Sequence, residues 1–315
     1  MKLHLNDNAK STFHMGLALL FLAGLCSAGC SHQADAKADE QTTFANPADA
    51  GQALQAASRN HDKSSLGKIL GAGSSEILSS GDPVEDKASI DSFTAKYDRM
   101  NRWVALTDGS RILYIGADNY PFPIPLSQDS AGKWSFDTQA GEDEILARRI
   151  GRNELLAIDA VSAIANAQEL YFKSSSDPRA AHQYAQRIIS TPGTRDGLYW
   201  GVSEGQPSSP LGRLSDFMGN ISHGEPQIFD GYSFRILAAQ GEAAKGGQKN
   251  YLSNGHMTGG FAVIATPVKY ADSGIMTFIL SRQGTVYQKD LGEKTADVAA
   301  SIQEYNPSED WTPAE

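Results

Sequence analysis

An apolar run near the start of the chain, residues 15–25, decides in which compartment the remainder has to fold. The basic residues Lys2 and Lys10 precede this run. The run is too short to cross a bilayer, because a spanning helix needs about 20 apolar residues. A basic start, a short apolar centre and small residues behind it are typical of a secretory signal. The pattern therefore predicts that the chain after the run folds outside the cytoplasm.

The residues behind the apolar run predict a lipid anchor. Ser27, Ala28 and Gly29 precede Cys30, an arrangement that resembles the bacterial lipoprotein cleavage box, in which the cysteine is lipidated and becomes the new N-terminus. The box prefers Leu at the position that Ser27 occupies here. The alternative is ordinary signal cleavage near Ala28, which would leave Cys30 as a free thiol. We predict a lipoprotein signal peptide over residues 1–29 and a lipid on Cys30.

Cysteine usage agrees with this interpretation. The chain contains two cysteines, Cys26 and Cys30, and the first leaves with the signal. The exported part therefore has no intramolecular disulfide, although an oxidising compartment would permit one. Ser31 follows the lipidation site, which resembles the outer-membrane sorting pattern of Gram-negative lipoproteins. We expect a cell-envelope protein that is lipid-anchored and faces the periplasm, with the outer membrane favoured in a Gram-negative host.

Composition narrows the classes of partner. The 315 residues carry a formal net charge of −10, with 40% hydrophobic and 20% charged residues, a balance that supports a packed core. An acidic chain is a poor match for nucleic acid, since phosphate binding needs clustered Lys and Arg. The predicted partners are therefore a membrane, reached through the lipid anchor, and an envelope protein, with no nucleic acid. The sequence gives no oligomeric state.

The length is typical of about two domains. Residues 30–43 are polar and predict a flexible tether. Residues 44–150 form the predicted N-terminal α+β half, and residues 151–315 form a C-terminal half of one helix and an antiparallel sheet. We expect the two halves to pack closely, joined by the helix.

Local patterns place the elements of the first half. Asn46 before a proline is a helix start, and a second helix is expected over residues 85–97. Residues 103–106 and 111–115 flank a turn and predict a hairpin. Three prolines in residues 121–126 withhold backbone donors, so this segment is predicted as an edge or polyproline-like strand.

The second half begins with a long helix. Its pattern covers residues 141–173, with a break expected near Gly151. Residues 174–230 are rich in Gly, Pro and Ser and predict a long connection. Alternating apolar residues then predict strands between residues 232 and 287, and a final helix is expected over residues 296–305.

Several short motifs resemble one bacterial family. They are SGDPV (80–84), PFPIPL (121–126), WSFDT (134–138), RRIGRNE (148–154), STPG (190–193), RDGLYW (195–200), GYSFRIL (231–237) and VYQKDLG (286–292). On these motifs the chain is identified as a member of the family of domain of unknown function 2950, a bacterial family of exported proteins. The resemblance covers about residues 44–313. It implies export and carries over no activity and no catalytic residue.

Two likenesses at the level of the fold add to this. Residues 44–150 resemble the cone of nuclear-transport-factor-2-like (NTF2-like) proteins, which often holds a pocket. Residues 151–292 resemble the globular part of a type IV pilin-like protein, although the long apolar N-terminal helix of pilins is missing. We expect an α+β fold in which an NTF2-like, cone-type half packs on a pilin-like helix-plus-antiparallel-sheet half. Fold likeness alone does not establish function.

The residue pattern contains no catalytic signature. A His-x-x-x-His pair is absent from the sequence, which removes the usual local signal for zinc. The Gly-x-Ser-x-Gly pattern occurs once, at residues 201–205, inside the predicted Gly-, Pro- and Ser-rich connection. A nucleophile elbow needs a strand-to-helix turn around this pattern, which the sequence does not predict there. The glycines of residues 71–73 and 241–247 lack the spacing of phosphate-binding loops. The sequence therefore predicts no catalytic residue, no metal site and no cofactor. A triad assembled from distant residues stays open.

Two clusters are candidate binding surfaces. Arg148, Arg149 and Arg152 crowd one helix segment and could hold a carboxylate or phosphate bidentately. The alternative is ion pairing between the halves, for which the candidate partners are Asp137, Glu142 and Asp143.

The second cluster lies in the predicted connection. Arg195, Asp196, Tyr199 and Trp200 have the composition of a recognition surface, because Arg, Tyr and Trp are enriched at binding hot spots. The alternative is a loop that its aromatic side chains pin onto the sheet.

Two functions follow as hypotheses. The first is a non-enzymatic envelope protein that binds or scaffolds another envelope component. The second is a pocket protein, either a small-ligand binder or an enzyme acting on an envelope molecule. A filled first half with ion-paired arginines would favour the first hypothesis, and an open pocket that brings the arginines together with an unpaired carboxylate or histidine would favour the second.

Overall fold

The computed structural model describes residues 41–174, 182–201, 208–212 and 227–314. These residues belong to one compact unit. The unit combines helices with mainly antiparallel sheets, which confirms the α+β class. Across the described ranges, no helix combines the length and the apolar character needed to cross a membrane.

Two helices begin with a side-chain cap followed by proline, of which only the first, at Asn46, was predicted. The side chain of Asn46 caps α1 (Pro47–Arg59), and the side chain of Asp82 caps α4 (Pro83–Arg99). Each helix has proline in its first turn, where a missing N–H costs nothing. The predicted helix over residues 85–97 is confirmed and is slightly longer than expected.

Two short helices between them were not predicted. Helix α2 (Lys63–Leu70) begins at the capping residue Asp62, and α3 (Ser74–Leu78) follows Gly73, whose φ of 84° is left-handed. Helices of 8 and 5 residues contain too few turns for a hydrophobic period to stand out.

The predicted tether ends earlier than residue 43. The side-chain Nε2 of Gln41 donates to the backbone oxygens of Leu70 at 2.8 Å and of Phe136 at 2.7 Å. The backbone N of Thr42 donates to the oxygen of Lys68 at 2.9 Å. Residues 41–43 are thus packed, because the Gln41 amide satisfies carbonyls at the end of α2.

The first sheet has five strands and is antiparallel. The strands are β1 (Asn101–Ala105), β2 (Arg111–Ile115), β3 (Tyr120–Pro121), β4 (Leu126–Gln128) and β5 (Trp134–Phe136). The pairing order is β1-β2-β4-β5, with β3 on β2. The predicted hairpin is confirmed. The single edge strand predicted over residues 121–126 is wrong: Pro121 ends β3, residues 122–125 belong to no strand, and Leu126 begins β4, which lies between β2 and β5.

A long helix follows the first sheet and leads into the second half of the chain. Helix α5 (Thr138–Lys173) is continuous over 36 residues and is capped by Asp137. The break predicted at Gly151 is wrong, since a single glycine weakens a helix without ending it. The boundary predicted at residue 150 therefore lies inside one continuous helix.

The predicted long connection contains regular structure. Strand β6 (Arg187–Ile189) pairs in parallel with β7 (Gly197–Tyr199), and β8 (Gln227–Phe229) joins the main sheet. The expectation of an irregular connection is therefore wrong for these residues. Strands of three residues are too short to show an alternating pattern in the sequence.

The second sheet has six strands in the described part of the chain. Its order is β17-β16-β15-β14-β9-β8, all antiparallel. The further strands are β9 (Tyr232–Leu237), β14 (Ala262–Pro267), β15 (Met276–Ser281), β16 (Val286–Asp290) and β17 (Thr312–Pro313). Helix α5 packs on β14 and β15. Two small antiparallel ladders lie between β9 and β14 along the sequence. They pair β10 (Ala239–Gln240) with β11 (Lys249–Asn250), and β12 (Leu252–Ser253) with β13 (His256–Met257).

The final helix is shorter than predicted. Helix α6 (Thr295–Ser301) ends before Ile302, whose backbone is extended. The backbone N of Tyr305 donates to Ala239 at 2.9 Å, and Tyr305 is only 1% exposed. Burial of this tyrosine against the sheet region takes the chain out of the helix before residue 305.

Candidate functional site

An apolar cavity of ≈ 250 Å³ opens among α1, α2, α3, α4 and the proline-rich segment 122–124. Its walls are mostly leucine, isoleucine and phenylalanine side chains. The lining residues are Leu54, Ser58, Leu66, Leu70, Glu76, Ile77, Leu78, Ser80, Glu85, Asp86, Ser89, Ile90, Phe93, Phe122, Pro123 and Ile124.

The floor of the cavity belongs to the hydrophobic core. Leu54, Leu66 and Ile124 are each no more than 2% exposed. Phe93 and Phe122 form one wall, with ring centroids 5.3 Å apart and tilted by 56°. A cavity of about 150 Å³ already admits benzene, so this one has room for a short alkyl chain or a small ring.

One carboxylate, Asp86, is built into the wall. Its Oδ1 accepts hydrogen bonds from the backbone N of Ser80 at 2.7 Å and from the Ser80 Oγ at 2.9 Å. Its Oδ2 accepts one from the Nζ of Lys63 at 3.1 Å. The two bonds from Ser80, reinforced by Lys63, lower the pKa of Asp86 from 3.8 to about 2. This carboxylate is therefore ionised throughout the physiological range.

Other polar groups at the cavity are available to a ligand. Ser58 is 4% exposed, and neither its hydroxyl nor that of Ser89 is hydrogen-bonded to a described residue. Glu76 and Glu85 are exposed at the lining. No cation of the described chain lies within ion-pair distance of either carboxylate.

The charges at the cavity decide which ligands it suits. Three carboxylates, Asp86, Glu76 and Glu85, line the cavity, and among the described residues one cation, Lys63, forms an ion pair with them. An anionic ligand would be repelled, because like charges near a desolvated site cost free energy. The cavity therefore suits an apolar body with a neutral or cationic polar end.

The predicted arginine cluster is distributed over different contacts. The Nε of Arg148 donates to Glu144 at 2.7 Å, and its Nη1 donates to the oxygen of Pro121 at 2.8 Å. The guanidinium also lies over the Tyr120 ring, 5.4 Å from its centroid. Arg148 thus ties α5 to the first sheet.

Arg149 turns to the second sheet instead. It forms an ion pair with the carboxylate of Asp272, in the loop between β14 and β15, and its Nε donates to the backbone oxygen of Asp272 at 3.2 Å. Arg152 is exposed. Ion pairing is therefore observed, but the predicted partners Asp137, Glu142 and Asp143 are not the ones used.

Asn153 and Glu154, which follow the arginines, also bind the loop before β15. The Oε1 of Glu154 accepts from the backbone N of Ile275 at 2.9 Å and of Met276 at 3.0 Å. The Nδ2 of Asn153 donates to the oxygen of Ser273 at 2.9 Å. Residues 149–154 thus form a clamp between α5 and the loop before β15.

Asp196 organises its own loop. Its Oδ1 accepts from the backbone N of Thr191 at 2.7 Å and from the Oγ1 of Thr194 at 2.7 Å, and Arg187 lies 3.6 Å from its Oδ2. Although partial burial opposes ionisation, the bonds from these threonines lower the pKa of Asp196 to about 2. Its carboxylate is committed to the loop.

The neighbouring residues form a half-buried surface. The guanidinium of Arg195 lies over the Trp200 ring at 5.6 Å, and the hydroxyl of Tyr171 on α5 donates to the oxygen of Arg195 at 2.9 Å. Tyr199 lies in β7 and packs against the main core. Arg195, Tyr199 and Trp200 line a shared pocket of ≈ 350 Å³.

Sequence reasoning did not single out the residues of the cavity. The capping motif that begins α4 places Asp86 in its first turn, but no pattern shows that Ser80 folds back onto this carboxylate. Within the described ranges, no three His, Cys, Asp or Glu side chains are grouped so as to hold a metal ion. Cys30, the predicted lipidation site, lies outside the described residues.

Comparison with known proteins gives one match. The model of a family described as a protein of unknown function, DUF2950, matches residues 41–314. No curated protein and no solved structure matches the chain. The matched range includes the cavity, the clamp of residues 149–154 and the segment from Arg195 to Trp200.

Proposed function

The chain belongs to the DUF2950 family, and from this premise we propose that it is an exported, lipid-anchored envelope protein that binds a small, mainly apolar ligand. The observation that carries the proposal is the cavity of ≈ 250 Å³ among α1–α4. Apolar walls with a few placed polar groups are the usual composition of a small-molecule site.

Binding fits this cavity better than catalysis. A general acid or base works best when its pKa lies near the operating pH. The pKa of Asp86 is held at about 2 by Ser80 and Lys63, so its carboxylate keeps one protonation state near neutral pH. We assign Asp86 to wall structure and to the electrostatic selection of the ligand.

The proposed location rests on the first thirty residues. The basic start, the apolar run of residues 15–25 and Cys30 behind small residues support export and lipidation. A lipid on Cys30 would keep the cavity at a membrane surface facing the periplasm. Apolar molecules concentrate at such surfaces, which supports an apolar ligand.

The finer fold assignments are proposals of the same kind. Helices α1–α4 packed on a five-stranded antiparallel sheet around a cavity support an NTF2-like first half. Helix α5 packed on the six-stranded sheet supports a pilin-like second half. A crystal structure that superposes on either fold family would test each assignment separately.

The ligand class can be tested with three six-carbon probes: hexylamine, hexan-1-ol and hexanoate. A ligand bound by the native state raises the melting temperature. We expect hexylamine and hexan-1-ol to raise it and hexanoate to have no effect, because the carboxylates at the cavity repel an anion. Stabilisation by hexanoate alone would contradict the proposed selectivity.

A matched pair of variants on α4 locates the binding. Ser89 lines the cavity, whereas Ser92, one turn later, is exposed and does not. Ser89→Trp should abolish the probe-dependent rise in melting temperature by filling the mouth, and Ser92→Trp should leave it unchanged. Equal responses of the two variants would show that the probes bind elsewhere.

A second candidate function is scaffolding of another envelope protein. The observation that favours it is the surface in which the guanidinium of Arg195 lies over the Trp200 ring at 5.6 Å, since Arg and Trp are enriched at interface hot spots. A photo-crosslinker placed at Tyr199 or Trp200 in living cells should capture one reproducible partner. Capture of no reproducible partner would count against this function.

A further inference from the structure

A second pocket, of ≈ 540 Å³, lies beside β10, β11 and the end of β15. Its lining contains three cationic side chains, Lys245, Lys249 and Arg282, and no acidic one. The chain as a whole has a formal net charge of −10. A concave site with only positive side chains therefore departs from the average surface of this protein.

The first cation stands on a fixed loop. The Nε2 of Gln240 donates to the backbone oxygens of Lys245 at 3.2 Å and of Gly247 at 2.6 Å. The Nε2 of Gln283 donates to the Lys245 oxygen as well, at 2.8 Å. Two amides from different elements thus hold the backbone of Lys245, and no acidic group of the described residues lies within ion-pair distance of its ammonium.

The side chains of the other two cations, Lys249 and Arg282, are each positioned by contacts within the protein. The Nζ of Lys249 donates to the oxygen of Gly259 at 2.6 Å. The Nε of Arg282 donates to Glu169 on α5 at 3.0 Å, and its guanidinium lies over the Tyr184 ring at 5.8 Å. These contacts use only some of the donors, and the Nη nitrogens of Arg282 donate to no described residue.

The floor of this pocket is polar and neutral. Tyr251, 2% exposed, donates from its hydroxyl to the Oε1 of Gln240 at 2.8 Å. Burial raises the pKa of Tyr251 to about 12, so the phenol adds no negative charge. Gly260 has a φ of 145°, and a Cβ there would lie 3.0 Å from the Tyr251 ring; glycine therefore lets the chain pass close to the floor.

We propose that this pocket binds a phosphate group, with Lys245, Lys249 and Arg282 as the residues that contact it. The three cations exceed the one carboxylate that pairs with them, on Glu169, by two charges. A phosphomonoester carries about −1.5 to −2 charges at neutral pH and matches this excess better than a single carboxylate. Lysine supplies point charges and arginine a planar set of donors, the combination that phosphate sites use.

The site is independent of the apolar cavity, because none of its lining residues is shared with it. The phosphate could belong to a soluble phosphoester or to a lipid headgroup. Two probes separate these sources: glycerol 3-phosphate as a soluble monoester, and dihexanoyl phosphatidic acid, below its micelle concentration, as a lipid monoester. Preference for the first indicates a free phosphoester, and preference for the second indicates a headgroup; either preference supports a phosphate site.

Isothermal titration calorimetry of the purified protein tests the proposal. The variant Lys245→Gln/Lys249→Gln should bind the preferred probe at least about tenfold more weakly than the parent protein, since two charge-assisted contacts are lost. The control Lys133→Gln removes one exposed charge from the turn between β4 and β5 and should bind like the parent. Higher salt should weaken binding to the parent protein.

Three results would overturn the assignment. The first is that neither phosphate probe binds the parent protein at millimolar concentration. The second is that the double variant binds the preferred probe as tightly as Lys133→Gln does. The third is that succinate, a dianion without phosphorus, binds as tightly as glycerol 3-phosphate, which would make the pocket a site for carboxylates.

Discussion

At the scale of the single residue, Asp86 links the stability of the cavity wall to pH. Its folded pKa of about 2 lies below the ordinary value of 3.8, so the native state releases this proton more readily than the unfolded chain does. The carboxylate therefore stabilises the fold above about pH 4, and that contribution is lost as the pH falls towards about 2.

The variant Asp86→Asn tests this relation. We expect a lower melting temperature than the parent protein at pH 7, because the charged hydrogen bonds with Ser80 and Lys63 are lost. The difference should shrink between about pH 4 and pH 2, measured by circular dichroism. Asp159→Asn, an exposed position on α5, is the control; an equal loss there would show that the effect is not specific to the wall.

The clamp on α5 gives a second prediction for single residues. Glu154→Ala leaves the backbone N–H groups of Ile275 and Met276 without their acceptor and should cost about 1–3 kcal/mol in the free energy of unfolding. Arg149→Ala removes an exposed ion pair and should cost no more than about 1 kcal/mol. Urea denaturation measures both, and a larger cost for Arg149→Ala would contradict this ranking.

At the scale of the element, α5 carries two glycines in opposite surroundings. A Cβ at Gly141 would lie 2.6 Å from the Cγ1 of Ile124, whereas nothing lies within 4 Å of a Cβ at Gly151. The start of α5 therefore packs directly on the segment that floors the cavity, and the middle of the helix has room.

Alanine at each position makes this difference measurable. Gly141→Ala should destabilise the protein by about 1–3 kcal/mol through overpacking. Gly151→Ala should stabilise it by about 0.5–1 kcal/mol, because alanine is the better helix former and restricts the unfolded chain. Urea denaturation at pH 7 measures both. The same sign of change for the two variants would contradict the packing described for α5.

The elements also show how far the sequence can be interpreted. Helices with proline and a capping residue at their start, such as α1 and α4, were predictable, because the cap is a local hydrogen bond. The continuity of α5 through Gly151 was not predictable, since packing along α5 outweighs the low helix propensity of one glycine. The parallel pair β6–β7 and the early end of α6 depend on distant partners, which no local pattern contains.

The candidate site was predictable only in outline. The NTF2-like resemblance led us to expect a pocket in the first half. The residues that shape it are separated in sequence, from Leu54 to Ile124, and meet only in the folded chain. The arginines that stood out in the sequence instead contact Glu144, Pro121 and Asp272.

At the scale of the whole molecule, the predicted lipid on Cys30 would determine where the protein resides. If the cysteine is lipidated, the processed protein partitions into the membrane fraction, and the mass of its N-terminal peptide includes acyl chains. Cys30→Ala should remove both signals. Fractionation and mass spectrometry of parent and variant measure them, and unchanged partitioning together with an unchanged N-terminal mass would contradict the predicted anchor.

We propose that the ligand binds in the cavity among α1–α4. Methyl NMR of the protein titrated with hexylamine tests it most directly. We expect the chemical-shift changes to concentrate on the methyl groups that line the cavity, those of Leu54, Leu66, Ile77 and Ile124. The methyl groups in the core of the second sheet, those of Val263 and Ile279, should be unaffected. Changes confined to the second group, or none at saturating hexylamine, would contradict it.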